Sequence, residues 1–192
     1  MSVAVRVFIA VELPSTVIEA LNAAIEPLLA EAPELAWVPP DKQHLTVKFF
    51  GDVDDAGLPA VVGLVSALAK LHRPFSIHLA GIGAFPNFRR ARVVWLGVEQ
   101  EPRLELLHHD LEVAGEAEGF EIEGRVYRPH LTLARVRTPL DVERMRRLAR
   151  LARKVDFTAT VVVSEITVFQ STLAPGGARY SRLHATTLEG GR

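Results

Sequence analysis

HLTV at residues 44–47 and HLTL at residues 130–133 are two copies of one short pattern, far apart in the chain. Each copy lies in a run of residues typical of a β-strand. Strand side chains at positions i and i+2 share a face, so each histidine and threonine should project together while the intervening leucine points into the core. One His-x-Thr triplet is a weak signal, whereas two identical triplets are hard to attribute to chance. The repeat therefore predicts two strands that present the same polar pair.

Around these motifs, apolar periodicity predicts strands and helices in mixed order. Alternation from Val3 to Leu13 indicates an opening strand covered on both faces, and Thr16 and Glu19 are spaced as a capping box for the first helix. The predicted helices cover residues 16–30, 58–71, 102–118 and 138–154. The predicted strands cover residues 3–13, 35–38, 44–51, 74–81, 92–98, 120–127, 130–136, 157–163, 165–171 and 180–187, with the loop LAPGGA before the last.

Strands and helices do not alternate strictly, which favours an α+β fold with antiparallel sheets. No linker or composition break divides the chain. We therefore interpret residues 1–192 as one domain, in which two lobes echo one another around the repeated motif.

Composition narrows the possible functions. The chain is 48% hydrophobic and 23% charged, carries a formal net charge of −1 and has no cysteine. Disulfides, thiolate zinc sites and cysteine nucleophiles are thereby excluded. No stretch has the length and apolar character of a membrane span or the layout of a signal peptide, so we expect a cytoplasmic protein. The charge balance argues against a protein that coats nucleic acid, but not against an enzyme that binds one terminal phosphate.

Two imidazoles beside two hydroxyls suit the opening of a cyclic phosphodiester. That reaction needs a base to deprotonate water and an acid to protonate the departing ribose oxygen, and histidine serves in either role near neutral pH. Threonine hydroxyls can donate hydrogen bonds to the phosphate oxygens. Two alternatives are histidines that merely hydrogen-bond on a sheet, and a zinc site. The latter lacks a third ligand at the usual short spacing.

The chain resembles the two-histidine (2H) phosphoesterase superfamily, and most closely its RNA 2′,3′-cyclic phosphodiesterase branch, also described as 2′-5′ RNA ligases. The segments that carry the resemblance are RVFIAVELP, HLTVKFFGDV, AFPNFRRARVVWLGV, RPHLTLARV and STLAPGGARYSRL. The resemblance implies a bilobed, duplicated fold with antiparallel sheets lining a central cleft, helices outside, and no metal or other cofactor. It implies that His44 is the proton donor and His130 the proton acceptor. It also places Thr46, Thr132 and Arg135 at substrate-binding positions.

Alternation raises a question at two positions next to the motifs. It puts Arg135 on the face opposite His130, unless the strand ends or bulges near Ala134 or the side chain reaches around the edge. It puts Lys48 on the face of His44, where Lys48 either attracts phosphate or is a solvated strand-edge residue.

Several side chains near the motifs are candidates for contacts to RNA. Phe49, Phe50 and Phe85 are possible platforms for a base, although we expect at least two of them to be core residues. Arg89, Arg90 and Arg92 flank a loop and either contact the RNA behind its terminal phosphate or are simply solvated.

The leading functional hypothesis is metal-independent hydrolysis of a terminal 2′,3′-cyclic phosphate to a 2′-phosphomonoester. Its substrates would be RNA 3′ ends or small cyclic nucleotides, with no membrane contact and no obligate protein partner evident. The alternatives are 2′-5′ RNA ligation by the reverse chemistry, a nucleotide-binding module without turnover, and a non-catalytic RNA-binding protein. Intact histidines and threonines in both motifs favour an enzyme over the last two.

Overall fold

The computed structural model describes residues 4–174 and 177–190. Its helices are α1 (Ser15–Ala24), α2 (Glu26–Glu31), α3 (Leu58–Ala69), α4 (Pro102–Ala117) and α5 (Val142–Ala152). Its strands are β1 (Val5–Glu12), β2 (Ala36–Trp37), β3 (His44–Val53), β4 (Phe75–Phe85), β5 (Val93–Val98), β6 (His130–Arg135), β7 (Thr158–Val163), β8 (Glu165–Ala174) and β9 (Gly177–Thr187). Val3, Pro175 and Gly176, which belong to the predicted first strand and the LAPGGA loop, lie outside the described residues.

The described strands form one antiparallel sheet in the order β7-β4-β5-β6-β3-β1-β8-β9, with the short β2 also paired to β6. The two motif strands, β3 and β6, are adjacent at its centre and are joined through the registered pair Leu45 and Leu131. Four strands lie on each side of this junction. The β3 side combines both ends of the chain, and the β6 side comes from its middle, so the two halves of the sheet are not simply the two halves of the sequence.

One large core lies on the helix-covered face of the sheet, where Leu45 and Leu131 are fully buried. A smaller apolar cluster of Phe8, Ala10 and Phe169 lies on the opposite face of β1 and β8. The first strand is thus buried on both faces, as its sequence predicts. The α+β class with antiparallel strands is confirmed, whereas the interpretation of residues 1–192 as a single domain stays a prediction.

The first predicted helix, residues 16–30, differs from the observed structure in how it begins and in its continuity. Helix α1 begins at Ser15 with Pro14 as its N-cap, and no side chain caps it, so the capping box of Thr16 and Glu19 does not form. The helix breaks at Ile25 because Pro27 lacks an N–H and its ring would clash with the carbonyl four residues earlier. Proline is tolerated in the first turn of the new helix α2.

The predicted strand at residues 120–127 is wrong. The segment 120–129 is neither helix nor strand, although its apolar residues alternate. The next strand along the chain, β6, is flanked by β3 and β5, so this segment cannot pair with it as a hairpin. Ile122 and Val126 are consequently exposed by 50% and 83%.

Candidate active site

Each motif strand carries a bulge immediately after its His-Leu-Thr triplet. Along β3, Thr46 pairs with Ala10 and Lys48 with Ile9, so Val47 is an extra residue. Along β6, Thr132 pairs with Trp95 and Ala134 with Val94, so Leu133 is the extra residue. An extra residue reverses the alternation of the side chains that follow. The two motifs therefore share an irregularity that neither sequence pattern shows.

The bulges settle the positions of Lys48 and Arg135. After the β6 bulge, Leu133 and Ala134 are both buried, and Arg135 returns to the face of His130 and lines the cleft. After the β3 bulge, Lys48 turns into the core with 0% exposure, so the expectation that it shares the face of His44 is wrong. Phe49 then occupies the position of the first motif that corresponds to Arg135, and it is 51% exposed in the cleft.

His44, Thr46, His130, Thr132 and Arg135 all line one cleft of about 1500 Å³. The strands run antiparallel about the Leu45–Leu131 pair, so His44 lies on the Thr132 side and Thr46 on the His130 side. The leucines point into the core, which leaves the two histidines and two threonines on the opposite face. The structure thus brings these five residues together, whereas Lys48, Phe50 and Arg89, which the sequence also suggests as candidates, do not line the cleft.

Each imidazole is oriented by the backbone two residues before it. His44 Nδ1 lies 2.8 Å from the Lys42 carbonyl oxygen, and His130 Nδ1 lies 2.7 Å from the Arg128 carbonyl oxygen. A carbonyl accepts only, so Nδ1 must carry a proton in both rings. Nε2 is then the nitrogen left to exchange a proton with a ligand.

The two histidines differ in their surroundings. His44 stacks on Phe8 with ring centroids 4.9 Å apart, and the Tyr180 ring meets it edge-on at 5.2 Å. This burial lowers the pKa of His44, although the hydrogen bond to the Lys42 carbonyl opposes the shift. His130 meets the edge of Phe85 at 5.0 Å and is more open to solvent.

Of the three candidate aromatic platforms, only Phe50 is a core residue, at 6% exposure. Phe49 and Phe85 both line the cleft. The expectation that at least two of the three would be buried is therefore wrong, because the β3 bulge turns Phe49 outward and β4 carries Phe85 to the edge of the cleft.

A buried ion pair lies beneath the first motif. Lys48 Nζ is 2.8 Å from Glu112 Oε1, and the two side chains are 0% and 9% exposed. These two atoms form an ion pair without the geometry of a hydrogen bond. Glu112 Oε2 accepts from the Glu123 N–H at 3.0 Å, and Lys48 Nζ donates to the Glu121 carbonyl at 3.4 Å. The pair thus holds the irregular segment 120–129, which leads directly into His130.

Two further side chains stabilise the β3 bulge. Tyr127 Oη donates to the Thr46 carbonyl at 3.1 Å, and His108 Nδ1 lies 2.8 Å from the Val47 carbonyl. The two rings stack with centroids 4.0 Å apart. Burial raises the pKa of Tyr127, so its hydroxyl keeps its proton and remains a donor. Sequence analysis missed this role, since no local pattern connects residues 108 and 127 with a carbonyl in another strand.

The described residues contain no group of three or more His, Asp or Glu side chains placed to hold a metal ion. The expectation that no metal or other cofactor takes part stays a prediction. Among the helices of the described part of the chain, none combines the length and apolar character needed to cross a membrane.

The paired His-Leu-Thr strands lie at the centre of one antiparallel sheet and line one cleft, as the resemblance to the two-histidine phosphoesterases implies. The chain belongs to the 2′-5′ RNA ligase superfamily, whose family model matches residues 14–173. The RNA 2′,3′-cyclic phosphodiesterase of Methanothermobacter thermautotrophicus is 33% identical over 184 residues, covering 96% of this chain and 99% of the relative. The protein of the same name from Thermotoga maritima is 30% identical over 187 residues, covering 97% of each chain.

Solved structures show the same fold. TT0787 of Thermus thermophilus matches with a TM-score of 0.78 at 29% identity, covering 97% of this chain and 100% of that one. Escherichia coli LigT in complex with 3′-AMP matches with a TM-score of 0.77 at 27% identity, covering 96% and 98%. The chain therefore belongs to an enzyme family that includes 2′,3′-cyclic phosphodiesterases and 2′-5′ RNA ligases.

Proposed function

We propose that this protein hydrolyses RNA terminal 2′,3′-cyclic phosphates to 2′-phosphomonoesters by acid–base catalysis with His44 and His130, without a metal ion. The observation that carries the proposal is the equivalent placement of the two motifs. Both imidazoles are held through Nδ1 by a backbone carbonyl, which leaves both Nε2 atoms for one ligand in the same cleft.

In the proposed reaction, His130 Nε2 accepts a proton from water as the water oxygen attacks phosphorus. The bond from phosphorus to O3′ breaks, and His44 Nε2 donates its proton to O3′. Thr46 and Thr132 donate hydrogen bonds to the non-bridging oxygens, where negative charge builds up. The product carries a 2′-phosphate and a 3′-hydroxyl, and the two histidines exchange protons with solvent before the next turnover.

The lowered pKa of His44 bears on its role as donor. Burial among Phe8, Tyr180 and Phe169 favours the neutral ring in the free protein, whereas a donor must be protonated. An anionic phosphate beside the ring favours the imidazolium. In this mechanism the substrate itself restores the charge on His44, while burial of the ring opposes that charge and favours release of the proton to O3′.

Phe49 and Arg135 are suited to hold the terminal nucleoside. Each follows its motif histidine by five residues, and each is turned into the cleft by the bulge of its strand. An aromatic face stacks on a base, and a guanidinium can stack on a base or bind phosphate. The two equivalent positions thus carry chemically different side chains.

Ligation is the second candidate activity, because the family includes 2′-5′ RNA ligases. The 5′-hydroxyl of another RNA would take the place of water and form a 2′-5′ linkage with the same acid and base.

The test incubates metal-stripped protein with an oligonucleotide that ends in a 2′,3′-cyclic phosphate. We expect a product heavier by one water, whose phosphate is removed by a phosphomonoesterase and which comigrates with a 2′-phosphate standard. A 3′-phosphate product would contradict the proposed leaving group. A joined product from two oligonucleotides, resistant to a nuclease specific for 3′-5′ linkages, would favour ligation.

A further inference from the structure

Trp95 lies beside the second motif, and the mechanism proposed for His44 and His130 does not use it. In β5 it pairs with Thr132, and cross-strand partners share a face of the sheet, so the Trp95 side chain lies on the cleft face. Phe85, and not Trp95, is among the described residues that line the cleft. The indole therefore lies behind the surface that a ligand would contact.

Two glycines leave room for this indole. Gly83 of β4 pairs with Trp95, and the three atoms nearest to a Cβ at Gly83 would be Cε2, Cζ2 and Cη2 of the indole, with Cε2 only 2.7 Å away. A Cβ at Gly97 would lie 3.2 Å from Trp95 Cζ3 and 2.6 Å from the Ala80 carbonyl oxygen. Neither glycine has a positive φ. Close approach of the indole, rather than backbone conformation, therefore accounts for glycine at position 83 and contributes at position 97.

The indole in turn supports Phe85. The rings of Trp95 and Phe85 pack with centroids 5.1 Å apart and an angle of 37° between their planes. Phe85 then meets His130 edge-on, with centroids 5.0 Å apart. His130 is half-buried, and its Nδ1 is held by the Arg128 carbonyl. That bond leaves the imidazole free to tilt about it, so the Phe85 contact is needed to fix the direction of Nε2.

The first motif has the same arrangement of a histidine, a phenyl ring and a second aromatic ring. Phe8 stacks on His44, and Phe169 stacks on Phe8 with centroids 5.3 Å apart. Phe8 is 2% exposed, so the surrounding core holds it in place. Phe85 is only half-buried and lines the cleft, so it depends more on the ring behind it.

The indole N–H of Trp95 works against stability. Trp95 Nε1 is buried and has no hydrogen-bond acceptor within the described residues. A buried donor without a partner destabilises the folded state, and phenylalanine at this position would bury no such group. Folding alone therefore gives little reason for tryptophan here. What the indole adds is width, since it contacts both Gly83 and Phe85.

We propose that Trp95 is a positioning residue for His130. It supports the Phe85 ring, which fixes the imidazole so that Nε2 faces the water that attacks phosphorus. The inference rests on the proposed function, in which His130 is the base. It assigns to the second motif a support that lies outside the His-Leu-Thr triplet and outside the cleft lining.

The first experiment measures kcat and KM of Trp95→Leu on a mononucleoside 2′,3′-cyclic phosphate. Phe85 loses its support, so we expect kcat to fall by about tenfold and KM to change by less than about twofold, because a catalytic group tolerates little displacement. Trp95→Phe keeps a ring behind Phe85 and should retain more of the rate. Its midpoint of urea unfolding should decrease little, since it also removes the unpartnered N–H.

Gly83→Ala tests the same contact from the other side. Its methyl group takes the place of part of the indole, so the ring must shift and kcat should again fall by about tenfold. In Trp95→Leu/Gly83→Ala the methyl group has room, so kcat should be no lower than in Trp95→Leu alone. Gly63→Ala is the matched control, because a Cβ there meets nothing within 4 Å, and its kcat should equal that of the wild type. Gly83→Ala carries the test if Trp95→Leu does not fold.

The second experiment repeats the Trp95 change in the His130→Ala protein. If Trp95 acts through the imidazole, Trp95→Leu should lower the residual kcat by less than about twofold there. Trp37→Leu is the matched control for loss of a tryptophan. Trp37 Nε1 donates to the Ala32 carbonyl at 2.8 Å, and Trp37 does not line the cleft. This control should lower the urea midpoint and leave kcat unchanged.

Three results would overturn the inference. The first is wild-type kcat in both Trp95→Leu and Gly83→Ala, which would leave the proposed function intact as long as His130→Ala is impaired. The second is an undiminished loss from Trp95→Leu in the His130→Ala protein, since Trp95 would then act elsewhere. The third is an equal loss of kcat in Trp37→Leu, which would reduce the effect to stability. Failure of the wild type to hydrolyse any cyclic phosphate would instead count against the proposed function.

Discussion

Tyr127 Oη donates a 3.1 Å hydrogen bond to the Thr46 carbonyl, which ties the residue three positions before His130 to the middle of the first motif. The bond connects the two halves of the site directly, across the junction between β3 and β6. It also satisfies a carbonyl beside the β3 bulge, and His108 satisfies the next one.

Replacing Tyr127 by Phe should therefore affect catalysis more than folding. Loss of the donor leaves the Thr46 carbonyl unsatisfied, at a cost of about 1–3 kcal/mol in stability. A small shift of Thr46 against His130 should lower kcat by about tenfold with a smaller change in KM, because reacting groups tolerate little displacement. Steady-state kinetics and urea unfolding measure the two effects. Thr160→Val is the control, since it removes a 2.9 Å side-chain bond to His78, and neither residue lines the cleft. Equal kcat values in the two variants would contradict a positioning role for Tyr127.

Much of this site follows from the sequence, up to the point where strand alternation fails. The side chains of His44, Thr46, His130 and Thr132 lie on the predicted face because they precede the bulges. Lys48 and Arg135 follow the bulges. The prediction for Lys48 therefore fails, and alternation alone puts Arg135 on the wrong face. A bulge depends on how β3 meets β1 and how β6 meets β5, which are contacts between distant segments. The predicted strand at residues 120–127 fails for a similar reason. Its local pattern alternates, but pairing with β6 also depends on β3 and β5, which come from distant parts of the chain.

The buried Lys48–Glu112 pair should be sensitive to the loss of one partner. Lys48→Met leaves a buried carboxylate without its counter-charge, and we expect a loss of about 3–5 kcal/mol in the free energy of unfolding. Adding Glu112→Gln in the same protein should recover part of that loss, because no buried charge remains. Arg6→Ala breaks an exposed ion pair between β1 and β3, with side chains 64% and 67% exposed, and should cost under about 1 kcal/mol. Urea denaturation of the three variants and the wild type gives these values. A cost for Lys48→Met no larger than that for Arg6→Ala would show that the pair does not support the fold.

The aromatic surroundings of His44 should set one limb of the pH profile. Tyr180→Ala opens the ring to water and should raise the pKa of His44 toward its ordinary value, which NMR titration of the ring can follow. If His44 must be protonated to act, the limb of kcat/KM on the alkaline side should move to higher pH. If His44 were the base, the limb on the acid side would move up instead, and activity at low pH would be lost. The two limbs report macroscopic pKa values of the coupled histidines. The decisive observation is therefore which limb moves and in which direction.

Catalysis should not depend on a metal ion. The proposed acid, base and phosphate donors are all side chains, so kcat/KM should be unchanged after dialysis against EDTA and after addition of Mg²⁺, Mn²⁺ or Zn²⁺. Protein purified without a metal-affinity step serves as the reference. Loss of turnover on chelation that zinc or manganese restores would contradict the two-histidine mechanism.

Substitution of the two histidines should distinguish donor from acceptor. His44→Ala and His130→Ala should each lower the rate by roughly 10²–10⁴, the usual contribution of a positioned acid or base. The double variant should be less impaired than the product of the two effects, because both groups act in one transition state. Thr46→Ala and Thr132→Ala should lower the rate less, since the other phosphate donors remain.

An activated aryl phosphodiester has a leaving oxygen that hardly needs a proton. His44→Ala should therefore recover much of its rate on that substrate, while His130→Ala stays slow. Recovery by His130→Ala alone would reverse the two roles. Recovery by neither, with nucleotide binding intact, would refute acid–base catalysis by this pair.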